Sequence, residues 1–199
     1  GFTSRSGGML LLPVFLLNIR GLDEFMIGLL MFSGALGMGI GAQSGGRLSD
    51  IFGRRRFVIF GFVLAVLNSM LMAWYHQETP LLLIVLTLFV NGISMGLWST
   101  PNQVITVNAT PKSKFGPVGA LINLTRNTGN VTGQAIATAV IAAVLGFQGF
   151  DIELSQVGIM RGSVEAFTHA WRVAYLVIIC VLCLAIFTAS RTRSIPSKN

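Results

Sequence analysis

The sequence contains little charge. Only 11% of its 199 residues are Asp, Glu, Lys or Arg, less than half of the share usual in soluble domains. With 53% hydrophobic residues and a mean hydropathy of +0.73, a water-soluble fold would lack a polar surface. We therefore predict an integral membrane protein. The net charge of +7 would suggest nucleic acid in a soluble protein, and here we expect no nucleic-acid partner.

Metal-binding and cofactor-binding patterns are also missing. The only cysteines, Cys180 and Cys183, lie in an apolar run, and the only histidines, His76 and His169, lie outside the apolar runs. No second set of ligands accompanies either pair, so we predict no metal site and no cofactor. The apolar runs also contain no Asp or Glu that could carry a proton.

Six apolar runs approach or exceed the roughly 20 residues that a helix needs to cross a bilayer. They cover about 1–18, 25–44, 57–75, 81–107, 116–147 and 170–190. The runs predict an all-α membrane domain of six transmembrane helices over 1–190, followed by a polar tail over 191–199. Because the first run is short and the chain begins with Gly1, we expect a fragment of a longer protein.

The basic residues are distributed unevenly between the two sides that six alternating helices would create. Ten of the fourteen, with Arg5 counted among them, fall on one side and three on the other. The positive-inside rule predicts that this basic side is cytoplasmic. The loop 45–56 and the C-terminus are therefore expected in the cytoplasm, in a multi-pass protein of the plasma (cell inner) membrane.

Two of the runs carry polar stripes at helical spacing. In the fourth run the stripe includes Asn91, Met95, Trp98 and Asn102. In the fifth run it begins with Gly116 and Gly119 and continues with Asn123, Asn127, Asn130 and Gln134, with Arg126 about 60° to one side. Amides within a bilayer need a partner or water, so the stripes predict a water-accessible path along these helices.

A second explanation for these polar residues stays open. Asn and Gln also hydrogen-bond between membrane helices without forming a path. Arg126 lies some ten residues inside its run, about 15 Å, where it needs pairing or water unless it reaches back to the cytoplasmic face. Glycines predict close helix packing in the second run, at Gly37 and Gly41, and in the fifth, at Gly129 and Gly133.

The charged stretch "GRLSDIFGRRR" resembles the cytoplasmic signature Gly-x-Leu-Ala-Asp-Arg-x-Gly-Arg-Lys of the major facilitator superfamily. The matching positions are Gly46, Leu48, Asp50, Gly53, Arg54 and Arg55. Ile51 stands where the family has Arg. The stretch Arg126-Asn127-x-Gly129-x-x-x-Gly133 is similar to the penultimate span of that family's 14-helix drug:proton antiporters.

The resemblance implies a C-terminal six-helix half built from two inverted three-helix repeats, with an N-terminal half missing. It implies that a small-molecule substrate binds near the midplane between the halves. It also implies that the signature, through Asp50, holds the two halves together on the cytoplasmic side as a conformational latch. We expect alternating-access efflux of lipophilic compounds, cationic ones included, driven by protons or another coupling ion.

Three alternatives remain. Another facilitator of metabolites would keep the architecture and change the cavity, and a non-transporting scaffold subunit in the lipid bilayer would not need the polar stripes. The third is an intramembrane hydrolase, suggested by the Gly-x-Ser-x-Gly pattern at 92–96. Because Ser94 lies mid-span and the histidines do not, we predict no catalytic residue and no enzymatic activity.

Overall fold

A computed structural model describes residues 1–111, 115–149 and 163–191. The helices are α1 (Phe2–Val14, continued by a π-helical turn, Phe15–Ile19), α2 (Glu24–Phe52), α3 (Arg54–Ala73), α4 (Leu81–Asn108), α5 (Phe115–Phe147) and α6 (Ser163–Arg191). The described residues contain no strand. With its π-helical turn α1 is long and apolar enough to cross a membrane, as are the other five helices. The predicted all-α architecture with six spans is therefore confirmed.

The helices pack in a pattern that repeats between the two halves of the chain. Helix α1 packs on α5, α2 packs on α4, and α3 packs on α4 and α6. In addition, α2 contacts α3, and α6 contacts α1 and α5. Exchanging the first three helices with the last three leaves this set of neighbours unchanged. Because each repeat has three successive crossings, the second repeat runs in the opposite direction to the first. The packing thus has the form of two inverted three-helix repeats.

Glycines bring the paired helices into backbone contact. A Cβ atom at Gly37 or Gly41 of α2 would collide with the carbonyl oxygens of Phe89 or Ile93 on α4. In the same way, Gly133 of α5 lies against the carbonyl of Thr3 on α1. Close approach of this kind allows van der Waals packing where lipid offers no hydrophobic driving force.

The charged stretch 45–56 is helical, so the prediction of a loop there was wrong. Helix α2 continues to Phe52, because Gly45 packs on Leu97 of α4 and Ser49 is buried. Only Gly53, with φ at +98°, interrupts the chain before α3 begins. This backbone region is readily accessible to glycine and strained for other residues. The arginines therefore extend two helices and form no loop.

The outermost parts of the predicted topology are only partly described. Lys112 and Lys114 lie outside the described residues, as does the tail from 192 to 199.

Helix α6 begins at Ser163, seven residues before the predicted run, and this extension carries the buried Phe167. Helices α2, α5 and α6 each have only a small share of their apolar residues buried within the described bundle.

Candidate functional site

A cavity of about 170 Å³ lies inside the bundle, between α1, α2, α3, α4 and α6. It is near the middle of the helices. Met38 and Met95, which line it, are each the fifteenth residue of a helix of 29 and 28 residues. A ligand in this cavity would be midway between the two ends of the bundle.

Methionines dominate the cavity wall. Five of the eight methionines in the chain line it, and they come from four different helices: Met9, Met31, Met38, Met72 and Met95. Methionine side chains are flexible and polarisable, so they adapt to apolar ligands of different shape. Met9 and Met38 are 46% and 38% exposed, and are thus accessible from outside the bundle.

Polar groups converge on the sulfur of Met72 at one end of the cavity. The Nδ2 of Asn68 donates to it at 3.4 Å, the hydroxyl of Tyr175 at 3.8 Å and the Nδ2 of Asn91 at 3.9 Å. Thioether sulfur is a weak acceptor, so these donors can exchange it for a better partner at small cost. The Oδ1 of Asn68 is buried and has no hydrogen-bond partner among the described residues.

Trp98 forms a rigid part of the wall. Its ring stacks on Phe62 with centroids 5.0 Å apart, and the edge of Phe2 meets it at 5.1 Å. The side chain is only 4% exposed. Aromatic pairs of this geometry fix orientation as well as burying area, so Trp98 shapes the cavity and has little freedom to move.

The polar stripe of α4 divides between the cavity and the surface. Asn91, Met95 and Trp98 line the cavity. Asn102, farther along α4, is exposed and does not line it. Ser94 lies mid-helix, and its hydroxyl donates to the carbonyl of Gly61 at 3.1 Å, so the strand-to-helix elbow that a nucleophilic serine needs is not formed.

The polar stripe of α5 does not line the cavity. Asn123, Asn127 and Gln134 are exposed and do not line the cavity. Asn130 is half-buried against α1, where its carbonyl accepts a hydrogen bond from Ser6 Oγ at 2.9 Å and its Oδ1 has no partner among the described residues. Of the two stripes, the structure therefore brings only Asn91, Met95 and Trp98 of α4 to the cavity, and it leaves three of the α5 amides exposed.

Arg126 is held against α1. Its guanidinium carbon lies 5.5 Å from the centroid of the Phe2 ring, a cation–π arrangement. Its Nε is buried and has no hydrogen-bond partner among the described residues. Close by, a Cβ atom at Gly129 would be 3.1 Å from the Cβ of Phe2, so this turn of α5 packs tightly on the start of α1.

Arg5 is a cavity residue that the sequence analysis placed incorrectly. It was counted with the cytoplasmic charges, but its side chain lines the cavity and is partly buried. The neighbouring Thr3 and Ser6 contact Gly133, the nineteenth residue of the 33-residue helix α5. Arg5 is thus at the middle level of the bundle, surrounded on α1 by small residues that leave room for its side chain.

The signature residues form a junction near one end of the bundle. Asp50 lies in the last turn of α2 and Arg54 is the first residue of α3, with Gly53 between the helices. Arg54 Nη2 is 2.8 Å from Asp50 Oδ1, and its Nε donates to the same oxygen at 3.0 Å. Gly46 makes only a loose contact with α4, and the side chain of Leu48 is exposed.

Arg55 connects this junction to α6. Its Nε donates to the carbonyl of Ala189 at 3.3 Å, and its Nη2 donates to the carbonyl of Ser190. Both acceptors lie in the last described turn of α6. A cation at a helix C-terminus also interacts favourably with the helix dipole.

Comparison with known proteins gives one family and several curated relatives. A family model for the Major Facilitator Superfamily matches residues 1–199. Lincomycin resistance protein LmrB of Listeria monocytogenes is 27% identical over 179 residues, which is 87% of this chain and 38% of that protein. Riboflavin transporter RibZ of Clostridioides difficile is 28% identical over 135 residues, 68% of this chain and 30% of that protein. Multidrug resistance protein Stp of Mycobacterium tuberculosis is 28% identical over 140 residues, 69% of this chain and 26% of that protein.

Proposed function

Because this chain belongs to the Major Facilitator Superfamily, we propose that it is the C-terminal six-helix half of a secondary transporter for lipophilic, drug-like compounds. The chain spans 38% of the length of the lincomycin resistance protein that it matches, which is consistent with one half of such a transporter. The transporter exports its substrate by alternating access, as its two halves rock around a site near the midplane.

The observation that carries this proposal is the methionine-lined cavity at the middle of the bundle. Secondary transporters bind substrate at this depth. Flexible methionines around Trp98, with Asn91 and Tyr175 at one end, suit apolar molecules that carry a few polar groups. The names of two relatives, a lincomycin resistance protein and a multidrug resistance protein, favour efflux of such compounds.

Transport of a metabolite is the second candidate. It is favoured by one relative that is named a riboflavin transporter. The same cavity would serve, since Asn91 and the Tyr175 hydroxyl could exchange the Met72 sulfur for the polar edge of a heteroaromatic ring.

The uncovered face of α5 supports the participation of a second half. Asn123, Asn127 and Gln134 are exposed there, and amides facing lipid without partners would be costly. An N-terminal half of the same protein, packed against this face, would provide partners or a water-filled path. Asn102 and Arg126 would then face the same interface from α4 and α5.

Proton coupling requires an acid that the described helices do not carry in their interiors. Their carboxylates lie at helix ends, at Glu24, Asp50 and Glu165. In this proposal the N-terminal half supplies the titrating group, and Arg126 pairs with it for part of the cycle. Moving Arg5 into the bundle leaves nine basic residues against three, so the positive-inside rule still favours a cytoplasmic 45–56 junction and C-terminus.

The proposal is tested with the complete gene. Everted membrane vesicles that contain the protein should accumulate a lipophilic dye when a proton gradient is imposed, and an uncoupler should abolish the accumulation. Met95→Ala should change the range of accepted dyes, because it enlarges the middle of the cavity. Vesicles in which the inserted protein moves neither lipophilic dyes nor riboflavin would refute transport of both substrate classes.

A further inference from the structure

The cavity carries a positive charge that its other side chains do not balance. Arg5 is the one charged side chain among the cavity-lining residues, and no hydrogen bond or ion pair joins its guanidinium to another described residue. The other lining residues on α2, α3, α4 and α6 are methionines, small residues and larger side chains, the larger ones being Leu88, Asn91, Trp98, Tyr175, Ile178 and Leu182. No carboxylate is among them.

The depth of Arg5 makes this arrangement costly in the absence of a partner. Arg5 lies between Thr3 and Ser6, which contact the middle of α5, so both ends of the bundle are distant. A guanidinium at this depth requires water, a counter-charge or both. Arg126 is a second cation near the start of α1, with its guanidinium carbon 5.5 Å from the centroid of the Phe2 ring that contacts Trp98.

We propose that Arg5 is the anion-recognising residue of the substrate site, and that the preferred substrates are organic anions with an apolar body. This inference rests on the proposed transport function and defines its substrate class. The methionines hold the apolar body, and Arg5 binds the oxyanion through two N–H donors. A lipophilic cation, which the sequence analysis included among the substrates, would meet repulsion from Arg5.

Geometry supports a bound oxyanion over a cation. The guanidinium fork matches carboxylate, sulfonate and phosphate groups in plane, and an apolar surrounding strengthens a charge-assisted hydrogen bond. The cavity is open at Met9, which is on the same helix as Arg5, and at Met38, which is on α2. An anion would therefore be attracted from the opening toward Arg5 while its apolar part contacts methionine.

The test uses the complete transporter in lipid nanodiscs and three probes that share one fluorescent body. Dansylglycine is an anion, its amide is neutral and dansylcadaverine is a cation. We expect dansylglycine to bind about tenfold more tightly than the amide, the gain typical of a hydrogen bond to a charged group. Dansylcadaverine should bind more weakly than the amide.

Variants assign the preference to Arg5. Arg5→Gln should weaken dansylglycine binding about tenfold and leave the amide unchanged, while Arg5→Lys should keep most of the preference. Binding of the neutral amide shows that each variant is folded. Arg172→Gln is the matched control, because Arg172 is exposed on α6 and stacks on Trp74 away from the cavity.

A second variant keeps the test decisive if Arg5→Gln does not fold. Met9→Glu places a carboxylate one turn from Arg5 on the same face of α1, where the two charges can pair. This pairing should remove the preference for dansylglycine without removing the arginine. An unchanged preference in Arg5→Gln, or in Met9→Glu, would overturn the assignment.

The outcomes also separate this inference from the proposed function. Binding of all three probes with equal affinity, or tightest binding of the cation, overturns the anion preference and leaves a transporter of lipophilic compounds. It would also indicate that Arg5 is neutralised by an acid from the rest of the protein. Failure of all three probes to bind counts against the apolar substrate site itself, and so against both proposals.

Discussion

Asp50 and Arg54 form an ion pair across the break between α2 and α3, with Arg54 Nη2 2.8 Å from Asp50 Oδ1. The side chains are 60% and 33% exposed, so the pair contributes at most about 1 kcal/mol to stability. Asp50 lies in the last turn of α2, where the dipole of its own helix disfavours a carboxylate. A contact of this strength can form and break during a transport cycle without unfolding the junction.

Asp50→Asn should lower transport by the complete protein roughly fivefold, the effect of about 1 kcal/mol on a ratio of two conformers. Insertion and thermal stability should change little, because the pair is exposed. Dye uptake into vesicles with equal amounts of protein measures the effect. Arg56→Gln is the control, since Arg56 is exposed and outside the signature positions. A wild-type transport rate in Asp50→Asn would show that Asp50 does not act as a conformational latch.

Gly92→Ala should destabilise the bundle by roughly 1–3 kcal/mol, because its methyl group would collide with the carbonyl of Gly34 and force α2 and α4 apart. Gly39→Ala is the matched substitution, since a Cβ atom there meets no atom within 4 Å. It should be neutral or stabilising by about 0.5–1 kcal/mol. Thermal denaturation in detergent compares the two. Equal melting temperatures would show that the α2–α4 contact is looser than described.

Arg126→Ala should reduce transport more than Arg126→Lys. Lysine retains the charge and a cation–π contact with Phe2, whereas alanine removes both. Initial rates of proton-driven dye uptake measure the difference. Normal rates in both variants would mean that Arg126 only reaches toward the membrane surface and has no part in the cycle.

The double substitution Asn123→Leu with Asn127→Leu tests whether the uncovered face of α5 is functional. In a transporter it should lower transport severalfold while the protein still inserts, because both side chains are exposed and have no hydrogen-bond partner among the described residues to lose. In a scaffold subunit it should have no effect on function. Membrane insertion, followed by the amount of protein in washed membranes, separates a loss of transport from a loss of protein.

The helices were predictable from sequence, whereas their neighbours were not. Long apolar runs fix the number and type of spans, and the spacing of Asn91, Met95 and Trp98 places them on one face of α4, where all three line the cavity. Helical periodicity does not say which helix that face meets. The α5 stripe is equally regular, but none of its residues lines the cavity, and the spacing alone could not show this.

Four of the five cavity methionines, all except Met95, were not predicted from the sequence. They are distributed over α1, α2 and α3, so no local pattern joins them before the chain folds. Arg5 was assigned to the cytoplasmic side because it lies near the start of the chain. The small residues around it, Ser4, Ser6, Gly7 and Gly8, are a signal of close helix packing that could have indicated its depth.

The exchange of partners between the two repeats has a consequence for biosynthesis. Helix α1 packs on α5 and α2 packs on α4, so neither of the first two helices has its main partner when α3 leaves the ribosome. The glycine face of α2 must therefore stay unmatched in the bilayer until α4 is complete, 35 residues after the end of α3, and α1 must wait for α5, which ends 74 residues after α3. A chain that ends after α3 would lack the contacts that close the bundle, and quality-control proteases would have an open target.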